Sequence, residues 1–356
     1  MRIYAAGSSV DIQTDIEIAK KTIRLFSYYH LNINGFGTTT WNFLMNNPKN
    51  TVNLMLDSGA FSAWSQKVTI DLDQYITFCL KYARYIDYII NLDVIPAEFG
   101  RRPTKAEAEQ SAKDGWRNYK YMLSKGIPYE KLIPVFHQGE DMKWLTRMKK
   151  IPYIGLSPAN DRTTSQKIQW LDECMNYVTD ADGYPVNKWH GFAVTSLRLM
   201  LRYPWYSVDS TSWVITGRNG AVIVPQFRNG QYDYLINPFK IAVSNRSPSR
   251  KETGWHLSTF PKHTQKVILH YLDEKGFKIG RSEFRTESEK YKLQEGEKWN
   301  GKAVNKKREV ETIIELGLCN DYKLRDELNI IYYLDLEKAI PPYPRQFKIK
   351  NKSGLF

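Results

Sequence analysis

Two aspartates, each directly after an apolar run, are the residues best placed to carry chemistry. Asp57 follows the run Val52–Leu56, and Asp209 follows the segment Trp205–Val208. In a parallel α/β barrel the C-terminal ends of the strands meet at one face, where two carboxylates can flank one bond. Paired acids cut or exchange N- and O-glycosidic bonds, because one attacks the anomeric carbon and the other transfers the proton. Taken singly, each aspartate is more typical of an N-cap that starts the next helix.

The pattern of apolar runs predicts the elements that would position these acids. Segments at helical spacing, Gln74–Ile86 and Lys105–Ser124, separate short runs that predict strands. This alternation favours a parallel sheet with helical crossovers. No GxGxxG or GxxxxGK[ST] motif follows a run, and polar residues follow most of them, so we expect a TIM-type (β/α)8 barrel rather than an open sheet. The predicted strands are Arg2–Ala6, Val52–Leu56, Tyr88–Leu92, Leu132–Phe136, Tyr153–Leu156, Gly191–Val194 and Tyr206–Val208.

Beyond about residue 240 the pattern changes, which predicts a barrel domain over residues 1–240 and a C-terminal extension over 241–356. Apolar spacing predicts helices at Pro261–Lys275 and within Glu309–Ile340, so the extension is predicted to be mainly helical. Gly276–Arg308 is charged and poor in apolar residues, which is typical of a segment that is partly mobile or ordered by a ligand.

Composition is that of a soluble globular protein: 356 residues, 42% hydrophobic and 25% charged. No apolar stretch reaches the roughly 20 residues that a membrane helix needs, and the N-terminus lacks the core of a signal peptide. We therefore expect a cytoplasmic protein without a membrane partner. Three distant cysteines, Cys79, Cys174 and Cys319, exclude a disulfide framework and a CxxC-type zinc site.

The charge is strongly basic and unevenly distributed. Of the net charge of +13, the residues from Pro238 onward carry +8 and the longer first part carries +5. A basic final third suggests a polyanionic partner such as nucleic acid, since phosphates attract lysine and arginine regardless of base sequence. The alternative is a mildly basic surface that serves solubility alone.

The strand-end segments, taken in order from about Asn53 to Gly220, resemble the tRNA-guanine transglycosylase superfamily. Leu56–Ser62 (LDSGAFS) resembles the family's DSGGFQ strand end, and Val135–Gly139 (VFHQG) is similar to its VQGG. Tyr153–Ser157 (YIGLS) resembles a shortened IGGLAVGE strand. Val208–Ser212 (VDSTS) is similar to the DMFDCVLPT segment that holds the family's nucleophile.

Three further segments extend the resemblance. Asn91-Leu92-Asp93 stands in the place of the family's next acidic residue. His190–Thr195 takes the position of the HYLMGVG strand, with Ala193 where a methionine commonly flanks the base. Thr216–Gly220 (TGRNG) is similar to the short ARNG stretch that follows the nucleophile.

The resemblance implies base exchange at guanosine. Asp209 would attack C1′ and displace guanine, leaving a covalent nucleotide–enzyme intermediate, and Asp57 would be the general acid and base. The resemblance also implies base-binding roles for Ser58 and Asp93 at the polar edge, Gln138 at the carbonyl, Gly155 through its backbone, Phe61 by stacking, and Ala193.

Simpler interpretations stay open for several of these residues. Phe61 is as typical of a core residue, Gln138 could orient a loop, and Asp93 could belong to a turn. His137 is open to several interpretations.

Differences from the family point to a DNA substrate. The tRNA enzymes hold a structural zinc through three cysteines and a histidine after the barrel, whereas Cys319 is the one cysteine after Asp209 here. With its altered strand motifs, the chain is most similar to the DNA-guanine transglycosylases of bacterial and phage modification systems. That branch implies a pentosyltransferase that exchanges guanine in DNA for a 7-deazaguanine, which protects the DNA from restriction. Its co-substrate would be a free base such as 7-cyano-7-deazaguanine, and no cofactor or zinc is expected.

Three alternatives remain: the same exchange on tRNA, a catalytically inactive nucleic-acid-binding barrel, and a glycoside hydrolase. Glycoside hydrolases usually employ glutamates, and the Asp-Ser-Gly and Gln-Gly segments have no natural role there. If the protein is phage-encoded, its location would be the host cytoplasm.

A DNA substrate also implies contacts outside the pocket, because the target nucleotide has to leave the duplex or be single-stranded. Candidates to fill the gap or hold phosphate are Trp64, Trp213, Arg101 and Arg102, although tryptophans more often pack. The residues predicted to bind nucleic acid are Arg218, Lys302, Lys306, Lys307 and Arg308.

Overall fold

The computed structural model describes residues 1–33, 35, 37–47, 53–246 and 253–347. Packing divides the chain into two compact units, Met1–Thr211 together with the chain from Glu337 onward, and Ser212–Leu336. The predicted division into residues 1–240 and 241–356 stays a prediction. Val52 and the basic residues Lys348, Lys350 and Lys352 lie outside the described residues.

The first unit alternates strands and helices. Its elements are β1 Arg2–Ala6, α1 Ile12–Lys21, β2 Arg24–Ser27, α2 Tyr28–Asn32, α3 Thr38–Asn46, β3 Leu54–Asp57, α4 Ala60–Ser65, α5 Leu72–Tyr82, β4 Tyr88–Ile90, α6 Lys105–Ser124, β5 Leu132–Ile133, β6 Val135–His137, α7 Met142–Met148, β7 Tyr153–Ser157, α8 Thr164–Val178, β8 Lys188–Gly191, α9 Leu197–Arg202 and β9 Ser207–Ser210.

These nine strands form one parallel, barrel-like sheet in the order β5-β4-β3-β2-β1-β9-β8-β7-β6, so the fold is mixed α/β. The two end strands, β5 and β6, are consecutive in the chain and separated by Pro134 alone. On one side of this break Asn91 N donates to Ile133 O at 2.9 Å, and on the other Gly155 N donates to Pro134 O at 2.9 Å. Proline has no N–H to donate, which interrupts the strand there.

The inside of the sheet is filled by alternate side chains of the strands. Tyr4, Leu25, Met55, Ile90 and Tyr153 belong to one buried cluster. Because side chains of a strand alternate between its two faces, residues two positions along from these also face inward. This rule places Asp57 with Met55, at the C-terminal end of its strand.

Polar caps fix the starts of the surrounding helices. Thr104 and Glu107 form a capping box at the start of α6, and Thr163 and Gln166 form another at α8. Asp11 caps α1 through the N–H of Thr14. Such reciprocal bonds satisfy backbone donors that otherwise lack partners in the first turn.

Most of the apolar runs that were predicted as strands form strands in the structure, but the prediction was wrong at two places. The predicted strand Gly191–Val194 lies at Lys188–Gly191 instead, because the chain turns at Ala193, whose φ is +49°. Strand β2 was not predicted, since its Arg24 interrupts the apolar run. The guanidinium of Arg24 is nonetheless fully buried beside Asp15.

The second unit differs more from the prediction of a mainly helical extension. It contains α10 Ser212–Arg218, β10 Ala221–Val224, β11 Gln226–Arg228, β12 Gln231–Asp233, β13 Phe239–Ala242, α11 Lys262–Glu274, β14 Arg281–Ser288, β15 Glu297–Val304, β16 Lys307–Glu315 and most of α12 Tyr322–Ala339. Strands β14, β16 and β15 form an antiparallel sheet, so the expectation of partial order for Gly276–Arg308 is wrong. Both faces of this sheet carry polar residues, which hides the alternation that usually predicts strands.

The helix predicted within Glu309–Ile340 starts later than expected. Glu309–Glu315 belongs to β16, and α12 begins at Tyr322. Gly317 lies between them, where a side chain would collide with the backbone of Ile279 and Gly280. The close approach of two chain segments therefore separates strand from helix.

Candidate active site

Three carboxylates meet at the C-terminal ends of the parallel strands. Asp57 is the last residue of β3, Asp93 follows β4, and Asp209 lies near the end of β9. Asp93 and Asp209 are both close enough for their charges to act on Asp57. The fold thus brings together the two acids that carry the predicted chemistry and the third acid that is predicted to bind the base.

The electrostatics of this cluster act most strongly on Asp57. Burial raises the pKa of its carboxyl, and the charges of Asp93 and Asp209 raise it further, to about 7. The N–H groups of Gly59 and Ser58 oppose this shift, and Gly59 N lies 2.9 Å from Asp57 Oδ2. A carboxyl with a pKa near 7 can give and take a proton at neutral pH.

A tight turn holds Asp57 in place. Gly59 has a φ of +81°, and any side chain there would collide with Ser27 and Tyr29, so the turn requires glycine. Ser58 is fully buried, and its hydroxyl accepts from Ala60 N at 3.2 Å and lies 3.5 Å from Asp93 Oδ1. Ser58 therefore joins the turn to the second carboxylate.

Asp209 is held through one of its two oxygens. Its Oδ1 accepts from Ala193 N at 2.8 Å and lies 3.3 Å from His190 Nε2, at an angle too poor for a hydrogen bond. Among the described residues, Oδ2 has no hydrogen-bond donor. One oxygen is therefore fixed and the other is left for a substrate.

A row of buried polar side chains, linked by hydrogen bonds, lies behind Asp209. The fully buried His190 contacts Ser207 Oγ through Nδ1 at 2.6 Å, and Ser207 also hydrogen-bonds the hydroxyl of Tyr153. Burial raises the pKa of Tyr153 well above its ordinary value, so its hydroxyl keeps the proton. We did not predict His190, because the predicted strand began one residue after it. In the observed strand it faces the barrel interior with Ser207.

A histidine between two acids supports Asp93. His137 Nε2 lies 2.8 Å from Asp93 Oδ2, and Nδ1 lies 3.2 Å from Glu140 Oε1. Burial alone would lower the pKa of His137, but hydrogen bonds with Asp93 and Glu140 outweigh it and raise the pKa to about 10. The imidazole is therefore charged at neutral pH and donates to both acids. The spacing of His137 and Glu140 in HQGE, directly after a strand, was the available signal for this pair.

Gln138 follows this strand but its amide is turned to a neighbouring loop. Its Oε1 accepts from Ala159 N at 3.1 Å, and its Nε2 donates to Gln166 O at 3.2 Å. In this structure Gln138 orients the loop that leads to α8.

Two other predicted base-binding residues differ in their surroundings. At Gly155 an added side chain would collide with the ring of Phe192, so the close approach there is to protein. Phe61 is 47% exposed on α4, with its ring 5.6 Å from that of Trp64. Phe61 is thus available for stacking, whereas Phe192 covers Gly155.

A cavity of about 640 Å³ borders the site on the side of Asp93. It lies between α4 and α6, and its walls are mostly apolar, with Trp64, Val94, Arg117 and Tyr121 among them. This volume is within the range of small-molecule pockets.

The basic residues predicted to bind nucleic acid all lie in the second unit. Arg218 ends α10 and is exposed, as are Lys302, Lys306 and Lys307, while Arg308 is half-buried. The prediction that Trp213 could fill a gap in the duplex is wrong, because this side chain is only 1% exposed. Arg101 and Arg102 pair with Glu107 and Asp161.

The part of the chain that the structure describes contains no group of three or more histidine, cysteine or acidic side chains that could hold a metal ion. The expected absence of zinc stays a prediction. Within the same ranges no helix combines the length and apolarity needed to cross a membrane.

No protein-family model matches the sequence, and a comparison with curated proteins returns no match. The function therefore has to be argued from the geometry of the site.

Proposed function

We propose that the protein is a DNA-guanine transglycosylase, a pentosyltransferase that replaces guanine in DNA by a 7-deazaguanine. The observation that carries the proposal is the pair of unlike aspartates at one end of the barrel. Asp57 has a pKa of about 7, and Asp209 is held through Oδ1 with Oδ2 available. One group suits proton transfer and the other suits nucleophilic attack.

We infer a barrel of eight strands, in which β5 and β6 are the two halves of one strand broken at Pro134. In such a barrel the residues at the C-terminal strand ends form the active site. Asp57, Asp93, His137 and Asp209 all lie there.

The reaction would proceed in two displacements at C1′. Oδ2 of Asp209 attacks C1′, the bond from C1′ to the guanine nitrogen breaks, and Asp57 gives its proton to the departing base. The incoming base then returns a proton to Asp57 and attacks C1′, which releases Asp209. Two displacements retain the configuration at C1′.

His190 and Ala193 would position the nucleophile. If Tyr153 donates to Ser207 and Ser207 donates to His190 Nδ1, the remaining imidazole proton is on Nε2 and faces Oδ1 of Asp209. Because the Ala193 N–H occupies Oδ1 and the Nε2 proton of His190 faces the same oxygen, Oδ2 is left for the attack.

Asp93 would accept from the N–H groups at the polar edge of the base. The charged His137 holds its other oxygen and compensates part of the negative charge that three carboxylates create. The apolar cavity beside Asp93 would accommodate part of the base or its substituent.

A base-exchange assay tests the proposal. The protein is incubated with labelled guanine and either duplex DNA or tRNA, and label in the recovered nucleic acid is counted. We expect incorporation into DNA, whereas incorporation into tRNA alone would contradict the DNA assignment. A cytoplasmic location and a free 7-deazaguanine co-substrate belong to the same proposal.

A further inference from the structure

We propose that an unpaired base next to the target guanosine stacks on Phe99, so that the preferred substrate is a single-stranded stretch of DNA. Phe99 belongs to an exposed aromatic row, Phe61, Trp64 and Phe99, which lies entirely in the first unit. This inference rests on the proposed function and names the form of DNA that the same site takes.

The aromatic row lies beside the candidate active site. The ring of Trp64 is 5.6 Å from that of Phe61 and 5.1 Å from that of Phe99. Phe61 follows Asp57 by four residues, and Phe99 is in the loop that follows Asp93. Trp64 also borders the cavity that Asp93 borders. A nucleotide next to one bound at the strand ends can therefore reach the row.

The exposure of these rings favours a stacking partner. Phe99 is 58% exposed, the largest value among the phenylalanines of the described chain, and Phe61 is exposed beside it. Adjoining exposed apolar side chains of this kind mark an interaction surface more often than scattered single ones do. Every base has a face that stacks on an aromatic ring, but a paired base is held in its own stack. The row therefore suits an unpaired base.

The loop that carries Phe99 is held in one shape. The Nε1–H of Trp64 donates to Ala97 O at 2.7 Å, and the hydroxyl of Ser111 donates to Val94 O. Ala97 has a φ of +65°, which alanine rarely adopts, so these contacts fix an otherwise unfavourable turn. Because the loop is already ordered, little conformational entropy is lost when a base binds to Phe99.

The charge beside Phe99 suits a phosphate. Residues 98–107 contain two acids and three cations, Arg101, Arg102 and Lys105. Arg102 shares the carboxylate of Asp161 with Arg162, at 3.2 and 3.8 Å. Water screens an exposed ion pair, so a phosphate can replace this carboxylate at little cost. Arg102, three residues from Phe99, can thus hold the phosphate of the stacked nucleotide.

The test uses the variants Phe99→Ala and Phe99→Tyr and the control Tyr177→Ala. Phe99→Tyr keeps an aromatic ring at the position. Tyr177 is also exposed, but it lies in the last turn of α8, on the side of the N-terminal strand ends.

Each protein is titrated by fluorescence anisotropy with a labelled single strand that contains one guanine. A series of strands lacks the base of one neighbouring nucleotide at a time, and the same sequence is also tested as a duplex. Exchange of labelled guanine is measured on the intact single strand and on the duplex. The binding measurement needs no exchange.

We expect the native protein to bind about tenfold more weakly when one particular neighbouring base is missing, as loss of a base–aromatic stack would cause. Phe99→Ala should bind the intact single strand about tenfold more weakly and no longer respond to that missing base. Phe99→Tyr and Tyr177→Ala should stay within about twofold of the native protein. Native exchange should be faster on the single strand than on the duplex, where a further base pair has to open.

Three results would overturn the inference. One is a Phe99→Ala protein that still responds to the missing base as the native protein does. Another is an equal loss of affinity for single strand and duplex, since the neighbouring base of a duplex stays in its stack. The third is a change of oligomeric state in Phe99→Ala with unchanged affinity for the single strand, which would make the aromatic row a contact between copies of the chain.

Failure of the proposed function gives a different pattern. If the native protein exchanges guanine in neither form of DNA but loses affinity at one missing base through Phe99, the stacking inference holds and the proposed function is wrong. If exchange occurs and no missing base lowers the affinity, the proposed function holds and the stacking inference is wrong.

Discussion

At the scale of single residues, Asp57 has a raised pKa because its carboxyl is buried and because Asp93 and Asp209 would place two further negative charges beside it. In the first half of the proposed reaction this carboxyl has to be protonated. The protonated fraction falls as the pH rises through about 7. The same residue has to be ionised to accept the proton of the incoming base.

We therefore expect the release of guanine in a single turnover to slow as the pH rises above about 7. Asp57→Asn should lower the rate by about 100-fold or more, because general acid catalysis contributes that much, and remove the pH dependence between 6 and 8. Binding of DNA should change little, since the lost interaction matters in the transition state. A native rate that rises between pH 7 and 9 would contradict the assigned role.

His137 stabilises the folded protein through the two acids beside it. Its folded pKa of about 10 lies above the ordinary histidine value, so the folded state binds this proton more tightly than the unfolded state. The stabilisation is complete below the ordinary value of about 6.5 and is lost as the pH rises toward 10.

His137→Gln should destabilise the protein by about 3 kcal/mol at pH 6, because it leaves Asp93 and Glu140 without their shared cation. The difference from the native protein should shrink as the pH rises toward 10. Denaturant unfolding at pH 6, 8 and 10 measures it. His270→Gln is the control, since His270 is exposed and pairs with Glu274 on α11. A constant difference across this range would show that the imidazolium is not the cause.

At the scale of elements, β2 is held by a buried ion pair. Arg24 is fully buried and lies 3.2 Å from Asp15 on α1, which also accepts from Thr40 on α3 at 2.6 Å. Arg24 donates a second bond to Gly7 O at 2.6 Å. These bonds connect two helices to the strand next to Asp57.

Asp15→Ala should cost about 3–5 kcal/mol of stability, because it leaves the Arg24 charge buried and uncompensated. Glu17→Ala on the same helix removes an exposed pair with Lys20 and should change the stability little, because water screens an exposed ion pair. Denaturant unfolding of both variants tests the difference. Equal losses would mean that the buried pair contributes no more than the exposed one.

The sequence predicted the elements that follow simple patterns. Helix α6, with its capping box, and strand β1 lie at the predicted bounds, and the two aspartates lie at strand ends as expected. Strand β2 could not be predicted, because the burial of Arg24 depends on Asp15 and Thr40 from other elements. The strand containing His190 was placed three residues late, since only tertiary contacts reveal the turn at Ala193.

In the site, too, some features follow from the sequence pattern and others depend on tertiary contacts. The strand-end positions of Asp57 and Asp209 predicted a shared pocket, and the family resemblance added Asp93 to it. The pairing of His137 with Glu140 has a signal in the HQGE spacing, whereas its pairing with Asp93 depends on a distance that no spacing in the chain fixes. The three-stranded sheet of the second unit was missed, because its charged faces lack the pattern of a half-buried strand.

At the scale of the whole molecule, the net charge of +13 predicts that DNA binding weakens steeply with salt. Replacing Lys302, Lys306, Lys307 and Arg308 by glutamine should reduce the slope of log K against log salt by about 3 to 4, since each phosphate contact contributes about 0.9. Base-sequence preference should not change, because phosphate contacts position without specifying. Fluorescence anisotropy from 50 to 300 mM salt measures both.

The control replaces four exposed lysines of the first unit at or beyond the C-terminal ends of helices, where they face away from the strand ends that hold the site. These are Lys81, Lys125, Lys149 and Lys150. Equal slopes of log K against log salt for the two sets of variants would mean that the net charge of the protein, rather than the four cations within residues 302–308, determines the affinity.

The most direct test of the account is the search for a covalent bond between Asp209 and DNA. Native protein, Asp209→Asn and the control Asp114→Asn are incubated with guanine-containing DNA without an incoming base, denatured, and separated by size. We predict a denaturant-stable protein–DNA complex with the native protein and with Asp114→Asn, and none with Asp209→Asn, because an amide cannot form the ester. A complex that persists with Asp209→Asn would contradict the account, since another residue would then be the nucleophile.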